Sequence, residues 1–332
     1  MKQMKDYAET TKKQLYINEE TYNKMTLATN YIETQNITAE DLLYRWVSRQ
    51  VKTEALDWLD KKRQQINDGA APFLFFTAFS AVPRYTEKNE IQPTVEELES
   101  ALNVCNDWYP ANWTIDQAAR ILLVLSLPSN DADKYIRTLD RVFASADVRE
   151  LVALYQALPL LPYPEKVRDR SAEGIRSNMT AVFNAVALQN PYPAKYLDNL
   201  AWNQMVLKAL FVGSPLHLIQ GIDERANPEL ARMLVDYAHE RWAAGRDVSP
   251  ELWRCVGKFA NSEMLADLER VLTESYTKAD SNGKGQQKLL ERTAAALACA
   301  DCPLPQAQEI LARYPDLQND IQAGRLTWKN VK

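Results

Sequence analysis

The chain is poor in glycine, histidine and cysteine, and it has no excess of positive charge. Nine glycines among 332 residues, with no GxxxxGK[ST], GxGxxG or GxSxG, exclude phosphate-cradling loops and the nucleophile elbow of a hydrolase. Two histidines, His217 and His239, exclude a His-rich metal site. The pair His239-Glu240 begins a zincin motif, but that motif needs a second His four positions on, where Ala243 stands. Cys299-Ala-Asp-Cys302 is a CxxC with no second CxxC or nearby His to complete a zinc site, so it reads as two small apolar residues near a helix end before Pro303. With only four scattered cysteines, the thiols are expected to be reduced. No metal or other cofactor is expected.

A net charge of −5 speaks against binding a phosphate backbone, so nucleic acid is not an expected partner. The amino terminus, MKQMKDYAETTKKQLYINEE, lacks the apolar core of a secretory signal, which points to a cytoplasmic protein. The uncharged run from Ser177 to Ala194 carries Asn178, Asn184, Gln189, Asn190, Pro191 and Pro193 and is unsuited to crossing a bilayer. No transmembrane segment is expected. Contact with an inner membrane would be peripheral and through a partner.

What is abundant is helix punctuation. Thr94-Val-Glu-Glu97 and Thr114-Ile-Asp-Gln117 are capping boxes. Ser214-Pro215, Asn227-Pro228 and Ser249-Pro250 each place Pro at a first helical position behind a capping side chain. Apolar residues recur at three and four between these starts, as in Leu230, Met233, Leu234, Tyr237 and Ala238. Helix–break–helix segments repeat at irregular spacing. They predict an all-α fold, an irregular HEAT- or armadillo-like solenoid of helical hairpins. Residues 1–38 read as a charged extension, 39–332 as one solenoid domain, Thr38 to Ile66 as one long helix and Tyr276 to Lys288 as a loop. Asp131 and Asp133 resemble acidic metal motifs, but they sit at a helix start and suit its macrodipole instead.

The segment from Asn190 to Asp223 is the exception in a chain that is one quarter charged, for it holds only Lys195, Asp198, Lys208 and Asp223. Neutral amides and rings can be buried when their hydrogen bonds are met, whereas unpaired charges cannot. A helix bearing Arg176, Thr180 and Asn184, followed by Asn199, Trp202 and Asn203, therefore predicts a sheltered polar network. Tyr192, His217, Asp223, Arg225 and His239 complete the candidate ligand-binding set. Two readings stand side by side, a ligand-facing centre and an interhelical network without ligand. Asp223 or Asp236 beside a histidine would allow acid–base chemistry. The four phenylalanines of AAPFLFFTAFSAVP predict a buried helix, or a face for a partner.

The block RSNMTAVFNAVALQNPYPAKYLDNLAWNQMVLKALFVGSPLHLIQGIDERANPELARMLVDYAHERWAAGRDVSPELWRCVG resembles the EboA family of metabolite-traffic proteins. FTAFSAVPR, WTIDQAARILLVLSLP, DVRELVALYQALPLLPYPE and the closing GRLTWKNV resemble it too, so the likeness runs from about Thr38 to the carboxyl terminus. The resemblance implies an accessory protein of a bacterial secondary-metabolite gene cluster that also encodes a UbiA-type membrane prenyltransferase. It carries no catalytic residues over. Three functions follow as expectations: a non-enzymatic scaffold or carrier for a small aromatic or prenylated metabolite or a partner enzyme, an enzyme using His217 or His239, or an assembly module acting through Phe73–Phe79.

Overall fold

Several helices begin where a side-chain oxygen caps them, and others begin at a proline. The computed structural model describes residues 37–277 and 285–332, and among these the chain is all-α, with one isolated antiparallel bridge between Glu90 and Thr114 and no strand. In chain order the helices are α1 (Ala39–Ser48), α2 (Thr53–Asn67), α3 (Pro72–Ala81), α4 (Val95–Val104), α5 (Ile115–Leu125), α6 (Ala132–Ser145), α7 (Val148–Gln156) and α8 (Arg168–Arg176). There follow α9 (Thr180–Ala187), α10 (Tyr192–Tyr196), α11 (Asn199–Val212), α12 (Pro228–Ala243), α13 (Ser262–Thr277), α14 (Gly285–Asp301), α15 (Pro305–Ala312) and α16 (Pro315–Gln322).

Thr94 and Glu97 close a reciprocal capping box on α4. At α5 the Gln117 carbonyl accepts from the Thr114 N–H, while the Thr114 hydroxyl turns to Asp116. Asp131 accepts from the Lys134 N–H, which makes it the cap of α6 and accounts for its place at a helix start.

Three expected elements differ. The long helix from Thr38 to Ile66 is two helices, because the buried stripe Leu42, Leu43, Trp46, Val47 meets polar Gln50 and Glu54 on the same face. Ser214-Pro215 opens only the 3-10 turn Leu216–Leu218: the Ser214 hydroxyl is bonded to the Asn184 side chain at 2.6 Å and does not cap. Ser249-Pro250 likewise opens a 3-10 turn, Pro250–Cys255, whose Glu251 is turned inward onto the backbone of Leu216 and His217. The extension expected over 1–38 lies outside the described residues except for its last two. So do residues 278–284 of the expected loop, while its flanks belong to α13 and α14.

Packing runs from neighbour to neighbour. α5 lies against α1, α2, α3 and α7; α7 packs on α9, α9 on α8 and α11, and α11 on α12. α12 then packs on the Pro250–Cys255 turn, which packs on α14 together with α13, α15 and α16. The most enclosed helix is α5, which buries even Asp116 and Arg120 as an ion pair at 2.9 Å, with Arg149 4.0 Å from the same carboxylate. Such a pair is tolerated because hydrogen bonds occupy the carboxylate.

Gly174 and Gly257 each set a close approach between helices. A Cβ on Gly174 would come within 2.6–2.8 Å of Val186 and Tyr155, which lets α8 close onto α9 and α7. A Cβ on Gly257 would meet the Ala298 carbonyl oxygen of α14 at 2.5 Å. Gly257→Ala is therefore expected to destabilise the protein by roughly 1–3 kcal/mol through overpacking against backbone, read as a lower urea midpoint at unchanged slope.

Candidate functional site

The turn between α8 and α9 is held by a residue far along the chain. Lys208, on α11, donates its ammonium protons to the carbonyls of Ile175 at 2.5 Å and Ser177 at 2.7 Å, and it lies 5.1 Å from the Phe183 ring centroid. The end of α8 presents unpaired carbonyls, and a cation there also suits the helix macrodipole. Burial pulls the lysine's pKa below its ordinary value.

Beside this tie lies a groove of about 780 Å3 between the α8–α9 turn, α11 and α12. Phe183, Leu207, Phe211 and Val212 give it an apolar wall, and Asn178, Gln204 and Tyr237 add neutral polar groups. Its charged residues are Lys208, Arg241 and Arg246 against Glu240 alone. Arg241 spends two of its nitrogens on the Asp247 carbonyl, whereas the guanidinium of exposed Arg246 has no hydrogen bond or ion pair among the described residues. Phe211 is 77% exposed, an unusual position for a phenylalanine and one that leaves it open to a ligand.

None of the nine candidates named from the sequence lines this groove. Asn184 lines a second cavity, on the other side of α9. The rest are mostly struts. Arg225 donates from one nitrogen to the carbonyls of Pro193, Ala194 and Leu197 and from another to Asn199, and it stacks 4.8 Å over the Trp202 ring. Burial lowers its pKa. Asn203 exchanges two hydrogen bonds with Asn227, which also caps α12. The Tyr192 side chain is wholly buried except for a bond to the Pro164 carbonyl at 2.5 Å. Arg176 ends α8 and is exposed, and the expected helix through Arg176, Thr180 and Asn184 is broken between α8 and α9.

The histidines find carboxylates other than those expected. Asp223 is taken by Arg254 in a bidentate pair at 2.5 and 2.6 Å, and Asp236 by Arg232. His217 Nδ1 instead pairs with Glu251, which also accepts from the backbone N–H groups of Leu216 and His217. His239 Nε2 pairs with Asp267 at 2.8 Å. Neither ring lines the groove or the second cavity. Of the phenylalanine face, Phe75 and Phe79 are core residues and only Phe73 stands well out, at 76% exposure. Among the described residues no cluster of His, Cys, Asp or Glu could hold a metal ion, and no helix is long and apolar enough to cross a membrane.

Residues 39–257 match the model of a family described as metabolite traffic protein EboA. The match covers well over half of the chain and leaves 258–332 outside it. No curated protein and no solved structure matches the chain.

Two consequences can be measured. Arg225→Lys keeps the charge but cannot serve three carbonyls and Asn199 from one planar fork. It is expected to cost about 1–3 kcal/mol in denaturant unfolding, with buried acceptors left unmet. Burial pushes the Cys255 and Cys299 thiols up to about 12, so both should stay unreactive towards a disulfide reagent at pH 8 until the protein unfolds. Labelling followed by peptide mass mapping reads this directly.

Proposed function

The chain belongs to the EboA family of metabolite traffic proteins, and from that premise we propose that it is a non-enzymatic carrier which holds an amphipathic, anionic metabolite in the groove between α9, α11 and α12. The observation that carries the proposal is the groove's division of labour. Its apolar wall of Phe183, Leu207, Phe211 and Val212 suits an aromatic or prenyl body, and the exposed guanidinium of Arg246, without a partner among the described residues, stands ready for an anionic head. A volume of about 780 Å3 falls in the upper part of the range of small-molecule sites, roughly 300–1,000 Å3.

Two further features fit a carrier. The row α1, α5, α7, α9, α11, α12, Pro250–Cys255 and α14, each packed on the next, is read as the inner layer of an irregular solenoid. In such a fold a binding surface is built from consecutive helices. The groove also lacks a nucleophile poised beside a base, since both histidines are engaged elsewhere. Delivery from the cytoplasm to a membrane partner, a prenyltransferase of the UbiA type, would follow from the family's association with metabolite traffic and needs no membrane span in this chain.

The test uses farnesyl diphosphate, farnesol and 8-anilinonaphthalene-1-sulfonate as probes of the full chain by calorimetry and fluorescence. The two anions are expected to bind and farnesol to bind more weakly. Phe211→Asp and Arg246→Glu, both at exposed positions, should each weaken the anions by about tenfold or more, the loss of one charge-assisted contact or one desolvated apolar contact. Binding untouched by both substitutions would remove the groove from the reading.

A further inference from the structure

On the opposite side of α9 from the groove lies a cavity of about 280 Å3 whose lining contains no charged side chain. We propose that it is a second ligand site, built for a neutral polyhydroxylated ring. The argument begins from what the lining amides have already spent. Asn184 accepts the Ser214 hydroxyl on its Oδ1, and Gln189 accepts from Asn112 Nδ2 on its Oε1 at 2.8 Å. Among the described residues neither spends its NH2 group, and Asn112 keeps its Oδ1. The buried Trp108 indole N–H donates to no group among the described residues, and Gln156 Oε1 is likewise buried without a partner. The cavity thus offers donors and acceptors together, all neutral. A hydroxyl is the ligand group that answers both, since it donates once and accepts twice.

Charge decides against the anions that suit the groove. A phosphate or carboxylate here would give up hydration with no cation opposite, which costs several kcal/mol or more. The indoles decide for a ring. Trp108 and Trp113 line the cavity with centroids 5.8 Å apart and planes at 61°, a corner with two apolar walls that can take the C–H face of a hydroxylated ring. The volume, just below the roughly 300 Å3 at which small-molecule sites begin, fits one ring and not a chain of them.

The site is also preformed. Asn190 is fixed by three hydrogen bonds, donating to the carbonyls of Tyr155 and Ala185 and accepting from the Tyr192 N–H. Gln189 beside it holds the left-handed conformation at φ 51°, with its N–H on the Leu218 carbonyl at 2.7 Å. Few non-glycine residues adopt that region, and those that do need support from their surroundings. Here the result is a side-chain amide turned to the cavity's edge and tied to Asn112.

Ala181, exposed on α9, lines this cavity and not the groove. Saturation-transfer NMR on the full chain with D-glucose and D-galactose should show transfer to both rings, and glucose 6-phosphate should receive about tenfold less. Ala181→Trp, which fills the cavity, should abolish the transfer while leaving 8-anilinonaphthalene-1-sulfonate binding in the groove within about twofold. Gln189→Leu, which removes the unspent donor at nearly constant volume, should weaken transfer even if the bulkier variant misfolds. Absence of transfer to either neutral ring would overturn the proposal. So would transfer insensitive to both substitutions, or glucose 6-phosphate binding as well as glucose. Because the groove is read with a different probe and different variants, its failure and the failure of this site are separable.

Discussion

The ammonium of Lys208 fixes the geometry on which both cavities depend. It reaches from the middle of α11 to the last carbonyls of α8, more than thirty residues earlier in the chain, and so sets the angle at which α9 leaves the turn. Carbonyl oxygens only accept, and the end of a helix has several to spare, so a half-buried lysine is one of the few side chains that can bridge two of them while its ammonium also lies over the Phe183 ring. From that tie the rest follows in order. α9 is held between α7 and α11, its Phe183 side faces the groove, and its Asn184 side faces the second cavity, where Ser214 at the end of α11 bonds to it.

The charge-poor segment from Asn190 to Asp223 is explained by the same economy of partners. Its amides meet backbone and side-chain groups that no helix satisfies. Asn190 closes the gap between α7 and the end of α9, Asn203 locks onto the cap of α12, and Asn199 receives the outer nitrogen of Arg225. A charged side chain in any of these places would need a counter-charge as well as a hydrogen bond. Where charge does enter, it is matched: Arg254 with Asp223, and Glu251 with two backbone N–H groups and a histidine ring. Thus the network is largely a means of joining short helices, while Asn184, Gln189 and Asn112 keep hydrogen-bonding capacity for something else.

How far this was legible in the sequence depends on the distance over which each signal acts. Local chemistry could be read directly: the boxes at Thr94 and Thr114 and the cap at Asn227 lie within three residues of what they bond. Ser214 and Ser249 carry the same written signal, yet neither opens an α-helix, because the Ser214 hydroxyl and the Glu251 carboxylate have long-range partners that outcompete the local one. The site suffered from the same gap. Asn and His drew attention as costly residues in helices, but most of them had answered that cost with a structural bond. Lys208 was visible as a lone charge in an apolar helix, and Phe211 as one apolar residue too many for a single stripe. Both are signals of a groove, though neither says where the opposing wall comes from, since Tyr237 and Arg246 arrive from α12 and beyond it.

The two hollows flanking α9 differ in kind, and that difference bears on traffic. A pocket that must load and release cargo cannot bind it too tightly, so its recognition is better divided between an apolar wall and one or two exposed charges than concentrated in a closed network. The groove has that character: Phe211 and Arg246 are both exposed, and the Arg246 guanidinium has no partner among the described residues to give up. The smaller cavity is ordered before any ligand arrives, with Asn190 and Gln189 already fixed. It should therefore discriminate by hydrogen bonding and not by charge, at little entropic cost. An eight-residue helix whose two sides serve such different surfaces has few positions free to vary in function. Thr180 and Phe183 belong to one and Ala181, Asn184 and Ala185 to the other, so α9 is the element that the two cavities share.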